Sequence, residues 1–301
     1  MSHPVMTPQQ FGAITVEKIV ELDFFPLDPN WLITDLDWAE LETERHRLGD
    51  DGVDWAAKKL LIGVHSYVVR TPSCTVLVDT CCGDRRERGA ASPFHQLETP
   101  YLANLVALGL RPEDVDFVFC THLHVDHVGW NVRDDNGRFV PTFPNARYLF
   151  GAEDFANRLK IEASGNGPPA SRLAFKECVL PLVESGRATL FDTALPTEAV
   201  LDGGLTLLPL PGHCIGHSGL SIAAGGRHAL LTGDALHHPV QFGRPHWHCS
   251  ADADPAESTR TRRDIIARTA DTDTVLLTAH FPGRTAGRLE SDGDGFRFCY
   301  T

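Results

Sequence analysis

The chain has 301 residues, 42% of them hydrophobic and 22% charged, which suits a globular α/β protein with one large core and provides no apolar run long enough to cross a bilayer. Its formal net charge of −13 repels polyanions, and the densest basic stretch (Arg260, Arg262, Arg263, Arg268) reads as a solvated helix face, so no nucleic-acid partner is expected. Eight cysteines without a CxxC pair, and a first twenty residues lacking a basic start before an apolar block, point to reduced thiols and a cytoplasmic chain.

In chain order, residues 13–20 read as a β-branched strand. Residues 22–60 carry Trp31, Trp38 and Trp55 among acids and prolines without clean periodicity. They predict an N-terminal extension over 1–60 packed on a main domain spanning 61–301, with a homodimer as one use for it. Strands follow at 62–69 and 74–78. Leu97, Tyr101, Leu105 and Leu108 share one face of a helix over 96–108, and Gly109 stands where a left-handed C-cap belongs. Further strands are expected at 115–120 and 147–150, a loop at 164–169 between helical pieces, and strands at 205–210, 220–223 and 228–231. Asp254-Pro255-Ala256-Glu257 announces a capped helix ahead of Ile265 and Ile266, and a strand at 274–278 and strand-like residues 296–300 close the chain. Strands in clusters with helices between them suggest sheet layers covered by helices.

Chemistry concentrates in Thr121-His122-Leu123-His124-Val125-Asp126-His127, directly after the apolar strand at 115–120. Side chains alternate along an extended segment, so His122, His124 and Asp126 leave on one side and the next turn brings His127 round. One short loop can thus serve two neighbouring ions. Three later strands end in the same way: 205–210 leads into Pro211-Gly212-His213, 229–231 into Thr232-Gly233-Asp234, and 275–278 into Ala279-His280. Strand ends gathered at one sheet edge are where α/β proteins place their sites.

This set, an HxHxDH motif followed by a His, an Asp and a final His, resembles the metallo-β-lactamase superfamily over about residues 60–285. The resemblance implies a four-layered αββα sandwich. It implies His122, His124 and His213 on a first divalent metal, Asp126, His127 and His280 on a second, and Asp234 bridging them. Zinc is the first expectation for both ions, with manganese, iron and cobalt also suited to such ligands. With the oxygen and nitrogen set complete, Cys214 is not expected to ligate. The run THLHVDHVGWN and residues 141–148 are similar to the lactonase and methyl-parathion-hydrolase-like group.

The implied function is hydrolysis of a small-molecule lactone or carboxylic ester by a metal-bridging hydroxide, with Asp126 and Asp234 catalytic as well as ligating. Phosphotriester or phosphodiester hydrolysis is the alternative, since one metal pair serves both reactions and only pocket walls decide. A glyoxalase II-like thioesterase would call for a C-terminal helical extension, and a persulfide oxidoreductase would not need His127 and His280. Some related lactonases protonate the leaving oxygen with a tyrosine, but no Tyr occurs here between Tyr148 and Tyr300. His237 and His238 are the nearest candidates for that task, and His238 is assigned to it. His65 reads as a core residue, the loop holding His246, Trp247 and His248 as a pocket wall, and Trp130 as either core or pocket.

Overall fold

The computed structural model describes residues 6–34, 36–48, 52–197, 201 and 203–301. Its strands, in chain order, begin with β1 (Gln9–Phe11), β2 (Ile14–Leu27), β3 (Val53–Asp54), β4 (Lys59–Arg70), β5 (Thr75–Val78) and β6 (Phe117–Phe119). A separate hairpin, β7 (Val132–Asp135) with β8 (Arg138–Pro141), precedes β9 (Arg147–Gly151) and β10 (Ala188–Phe191). The second half supplies β11 (Leu205–Pro209), β12 (Ser218–Ala224), β13 (Arg227–Leu231), β14 (Val275–Leu277), β15 (Ala286–Asp292) and β16 (Gly295–Tyr300).

One sheet runs β1-β2-β4-β5-β6-β9-β10 with β3 beside β4, antiparallel at the β1 side and parallel from β5 to β10. The other runs β11 to β16 in order, antiparallel except for the β13–β14 pair. Period-two side chains explain how the sheets stack. Val76, Val78 and Phe119 of the first sheet meet Leu231, Val275 and Leu277 of the second in one inner core. The alternate residues Leu77 and Val118 face outward into a core with Leu105 and Phe175, while Leu230 and Leu276 face Ile265 and Ile266. The result is helix, sheet, sheet, helix, the αββα order the resemblance implied.

Three short helices, α1 (Pro29–Leu32), α2 (Trp38–Thr43) and α3 (Arg45–Leu48), lie in the N-terminal part. Helices α4 (Tyr101–Ala107), α5 (Val125–Val128), α6 (Ala152–Ser164), α7 (Pro169–Cys178) and α8 (Leu180–Glu184) belong to the first half, and α9 (Val240–Gly243) and α10 (Pro255–Thr269) to the second. None is long and apolar enough to cross a membrane among the described residues.

The helix expected at 96–108 begins five residues late. Gln96 has φ +53 and Pro100 forces its predecessor out of the helical region, so only Tyr101 onward can wind. Gly109 does take a left-handed φ of +73. Asp254 caps α10 by accepting from Glu257 N at 2.9 Å, with Pro255 at the first position. The boundary expected at residue 60 falls inside β4, because β1 and β2 are strands of the same sheet and β2 pairs with β4 from Thr15↔Arg70 to Leu27↔Leu60. What lies over the sheet is the stretch holding α1 to α3, anchored by buried Leu32, Ile33, Leu41 and Leu48.

Candidate metal centre

β6 ends at the motif loop, and its parallel neighbour β5 ends at Val78, just before Asp79. Asp79 Oδ1 accepts from Thr121 N at 2.8 Å, and Oδ2 lies 3.0 Å from His127 Nδ1. Inside the loop, Leu123 N donates to Asp154 at the start of α6 at 2.7 Å. These two carboxylates hold the loop so that His122, His124, Asp126 and His127 turn toward the ends of β11, β13 and β14. Gly129 closes the loop against Cys82 and Gly83: a Cβ there would stand 1.9 Å from the Cys82 carbonyl.

The seven candidate side chains come together in two groups. Ligand atoms of His122, His124, His213 and Asp234 lie within 4.8 Å of one another, and so do those of Asp126, His127 and His280. Asp234 reaches both. Its Oδ2 is 3.3 Å from His213 Nε2 and 3.7 Å from His122 Nε2, while its Oδ1 is 3.1 Å from His280 Nε2 and 3.2 Å from His127 Nε2.

The far nitrogens of these rings are engaged, which fixes the tautomers. His213 Nδ1 meets Asp252 Oδ1 at 2.9 Å, and His280 Nδ1 meets Gly63 O at 3.0 Å. His122 Nδ1 meets Thr121 Oγ1 at 3.1 Å, a hydroxyl whose own proton faces Asp79. Each ring therefore presents a bare lone pair at Nε2 to the cluster. His217 braces Asp234 from behind: its Nδ1 donates to Leu210 O at 2.7 Å and its Nε2 accepts from Asp234 N at 2.9 Å.

These donors fit metal ions better than they fit one another. His124 Nδ1 lies 2.9 Å from His122 Nε2 and 2.8 Å from His213 Nε2, a convergence of lone pairs that repel unless a cation lies among them. His127 Nε2 and Asp234 Oδ1 are buried without a hydrogen-bond partner among the described residues. Burial holds His122, His124 and His213 below the ordinary imidazole range, in the neutral form a ligand needs. His127 differs. Burial opposes its charge, yet Asp234, Asp79 and Asp126 together raise it well above that range. Asp234 is likewise held well below the carboxylate range, its burial outweighed by His127, His280 and His122.

His238 does not join the cluster. Its Nε2 donates to Gly52 O at 2.8 Å and its Nδ1 accepts from Val240 N at 3.2 Å, so both ring nitrogens are engaged with backbone. His237 faces inward instead, with Nε2 3.2 Å from Asp234 Oδ2 and its ring stacked on His280 at 5.5 Å. His65 is a core residue bound to Thr278 O at 2.9 Å. Trp130 stacks on Tyr101 at 5.3 Å and donates to the buried Glu21 at 2.6 Å, away from the pocket. Cys214 sits by Asp154 and outside both groups.

A cavity of about 660 Å³ opens over the cluster, with Asp126, Asp234, His237 and His280 at its floor. Trp31 and Leu32 of α1, Phe94, and Pro168 and Pro169 at the start of α7 form apolar walls. The loop at 246–252 contributes Cys249, Ser250 and Ala251, and it is tied to the N-terminal stretch by the Ile33↔Cys249 bridge. Among the described residues no tyrosine lines the cavity. Asp79, Asp252 and His217 were missed at the sequence level. Asp79 follows an apolar strand, as the ligands do, but the other two carry no spacing signal.

The family model described as the metallo-beta-lactamase superfamily matches residues 61–280. A probable metallo-hydrolase of Mycobacterium tuberculosis is 30% identical over 185 residues, covering 58% of this chain and 57% of that protein, so the chain spans little over half the length of this curated relative. The N-acyl homoserine lactonase AiiB of Agrobacterium fabrum is 27% identical over 251 residues, 78% of this chain and 85% of that one. Among solved structures, AidC, a dizinc quorum-quenching lactonase in complex with the product N-hexanoyl-L-homoserine, superposes with a TM-score of 0.79 at 18% identity, covering 99% of this chain and 97% of the other.

Proposed function

Since the chain belongs to the metallo-β-lactamase superfamily, we propose that it is a metal-dependent hydrolase that opens a lactone or cleaves a carboxylic ester at two divalent ions. His122, His124 and His213 would hold the first ion, Asp126, His127 and His280 the second, and Asp234 would serve both. The observation that carries this reading is the Asp234 carboxylate, with one oxygen toward each group of ring nitrogens at the floor of an open cavity. Zinc is the first choice, because the set is imidazole and carboxylate without thiolate. A bound pair would supply Lewis acidity toward the substrate oxygen and lower the pKa of water toward about 7.

The chain's own residues do the rest. Asp126 lines the cavity with its side chain 14% exposed, which suits it to take the proton released during attack on the substrate, whose leaving oxygen needs a proton from another group, and to give up its own to solvent afterwards. His237 replaces His238 as the donor to that oxygen, because it is the cavity-facing member of the pair. Trp31, Leu32 and Phe94 exclude water and offer an apolar surface to an acyl chain. Relatives named for lactone opening support carbonyl over phosphoryl chemistry.

The test is a comparison of initial rates on N-hexanoyl-homoserine lactone, an aryl ester and an aryl phosphotriester, using one zinc-reconstituted preparation before and after chelation. Lactone or ester turnover that is lost on chelation and restored by zinc is expected. Faster phosphotriester turnover would replace the reading with its alternative.

A further inference from the structure

The cavity wall contains a guanidinium that the proposed hydrolysis does not use. Arg158 lies on α6, one turn beyond Asp154, and its Nε donates to Asp154 Oδ1 at 3.2 Å. The side chain is only 9% exposed and lines the cavity with His124. Among the described residues no other acceptor meets it, so its two terminal nitrogens have no protein partner. The second oxygen of Asp154 is turned to Leu123 N at 2.7 Å and Cys214 Sγ at 3.6 Å instead. That carboxylate ties the His122–His124 loop to the His213 loop and at the same time aims Arg158.

A second arginine in the same wall shows the difference. Arg88 is fully buried; its Nη1 is answered by Glu177 at 2.9 Å and by Glu87 O at 2.8 Å and its Nη2 by Cys178 Sγ at 3.8 Å, while its Nε is buried without a hydrogen-bond partner among the described residues. Arg158 presents its free edge to the cavity instead. A guanidinium whose donors open on a cavity is met there by water, or by an acceptor of the molecule that displaces that water. The planar pair of terminal nitrogens matches the two oxygens of a carboxylate. A phosphate would call for more donors, and the neighbouring Arg88 is already taken.

We propose that Arg158 anchors a carboxylate of the substrate, so that the molecule hydrolysed here carries an anionic group in addition to the bond that breaks. The proposal names the substrate class of the site described above; only its turnover arm rests on the hydrolase reading.

The experiment uses lactones bearing an ω-carboxylate on tethers of one to six carbons, each paired with its neutral carboxamide, on the zinc-loaded wild type, Arg158→Gln and Arg158→Lys. Cyclopentanone analogues of the same pairs, which cannot be hydrolysed, are titrated by calorimetry. In the wild type the best carboxylate is expected to exceed its carboxamide about tenfold in kcat/KM, mostly through KM, with a matching preference in affinity. Arg158→Gln should bring the ratio close to one, and Arg158→Lys, which keeps the charge beside Asp154 but lacks the fork, should restore part of it. Equal affinity for both members of every pair in the wild type, or a preference that survives Arg158→Gln, overturns the anchor. An Arg158-dependent carboxylate preference in calorimetry without lactone turnover keeps the anchor and discards the lactone reading instead.

Discussion

The two sheets build the candidate centre by different means. The eight-stranded sheet offers four ligands from a single loop after β6, whereas the six-stranded sheet offers one from each of three strand ends: His213 after β11, Asp234 after β13 and His280 after β14. The loop is a local object, with its geometry set by a few consecutive dihedrals and by the Asp79 and Asp154 clamps. The dispersed set depends on strand register, and each of its members has a separate brace: Asp252 for His213, His217 for Asp234 and Gly63 for His280. A contiguous motif can be held by few contacts, while a dispersed one needs a support for every ligand.

The largest test of this contrast is Asp234→Ala, which removes the carboxylate common to both groups. Both ions and at least about 10³-fold of activity should go. Asp126→Ala should leave the first ion in place, which metal counting by mass spectrometry would read. Two tightly bound ions in Asp234→Ala would show that the halves do not share it.

A second test strikes the loop as a unit. Gly129→Ala places a Cβ against the Cys82 carbonyl, backbone that cannot step aside. A loss of about 3 kcal/mol or more is expected in urea unfolding of the metal-free protein.

The individual braces should be milder. Asp252→Ala frees the His213 ring and should weaken metal binding about 10- to 100-fold at the first group while sparing the second. Equal weakening at both groups would show that the halves are not separable.

The smallest effect concerns His238, assigned to catalysis from sequence and found holding the backbone. Burial lowers its pKa to about 4 from an ordinary 6.5. The unfolded state therefore binds the proton first, and the stability this ring contributes is present above about pH 6.5 and lost as pH falls toward 4. His238→Gln should flatten that part of the melting-temperature profile and change kcat by less than about twofold at pH 7.5. A large loss of kcat with metal retained would return His238 to the mechanism.

The candidate ligands were legible because each follows an apolar strand, and the strand pattern survives in the order of residues alone. The braces were not. Asp252 lies 39 residues from His213 and meets it only because the loop before α10 folds back across the β11 end. Arg158 carried a weak local sign, an acid and a base four apart after a strand, of the kind most surface helices also show. The choice between His237 and His238 was out of reach for another reason: adjacent residues point to opposite sides of a short turn, and which side is the centre depends on where Gly52 is packed.

The sequence by itself determined that clustered strands form sheet layers covered by helices, through its β-branched runs, and the identity and order of the candidate ligands, through strand-end punctuation; the αββα order came with the family resemblance those ligands carry. Only the tertiary structure decided that Asp234 faces both groups, that β1 and β2 belong to the sheet beside β4, and that Arg158 opens into the cavity while Arg88 is neutralised. The physical reason is one of range. Periodicity and turn chemistry are properties of neighbouring residues, whereas the meeting of side chains tens or hundreds of positions apart is fixed by register and packing, which no local pattern encodes.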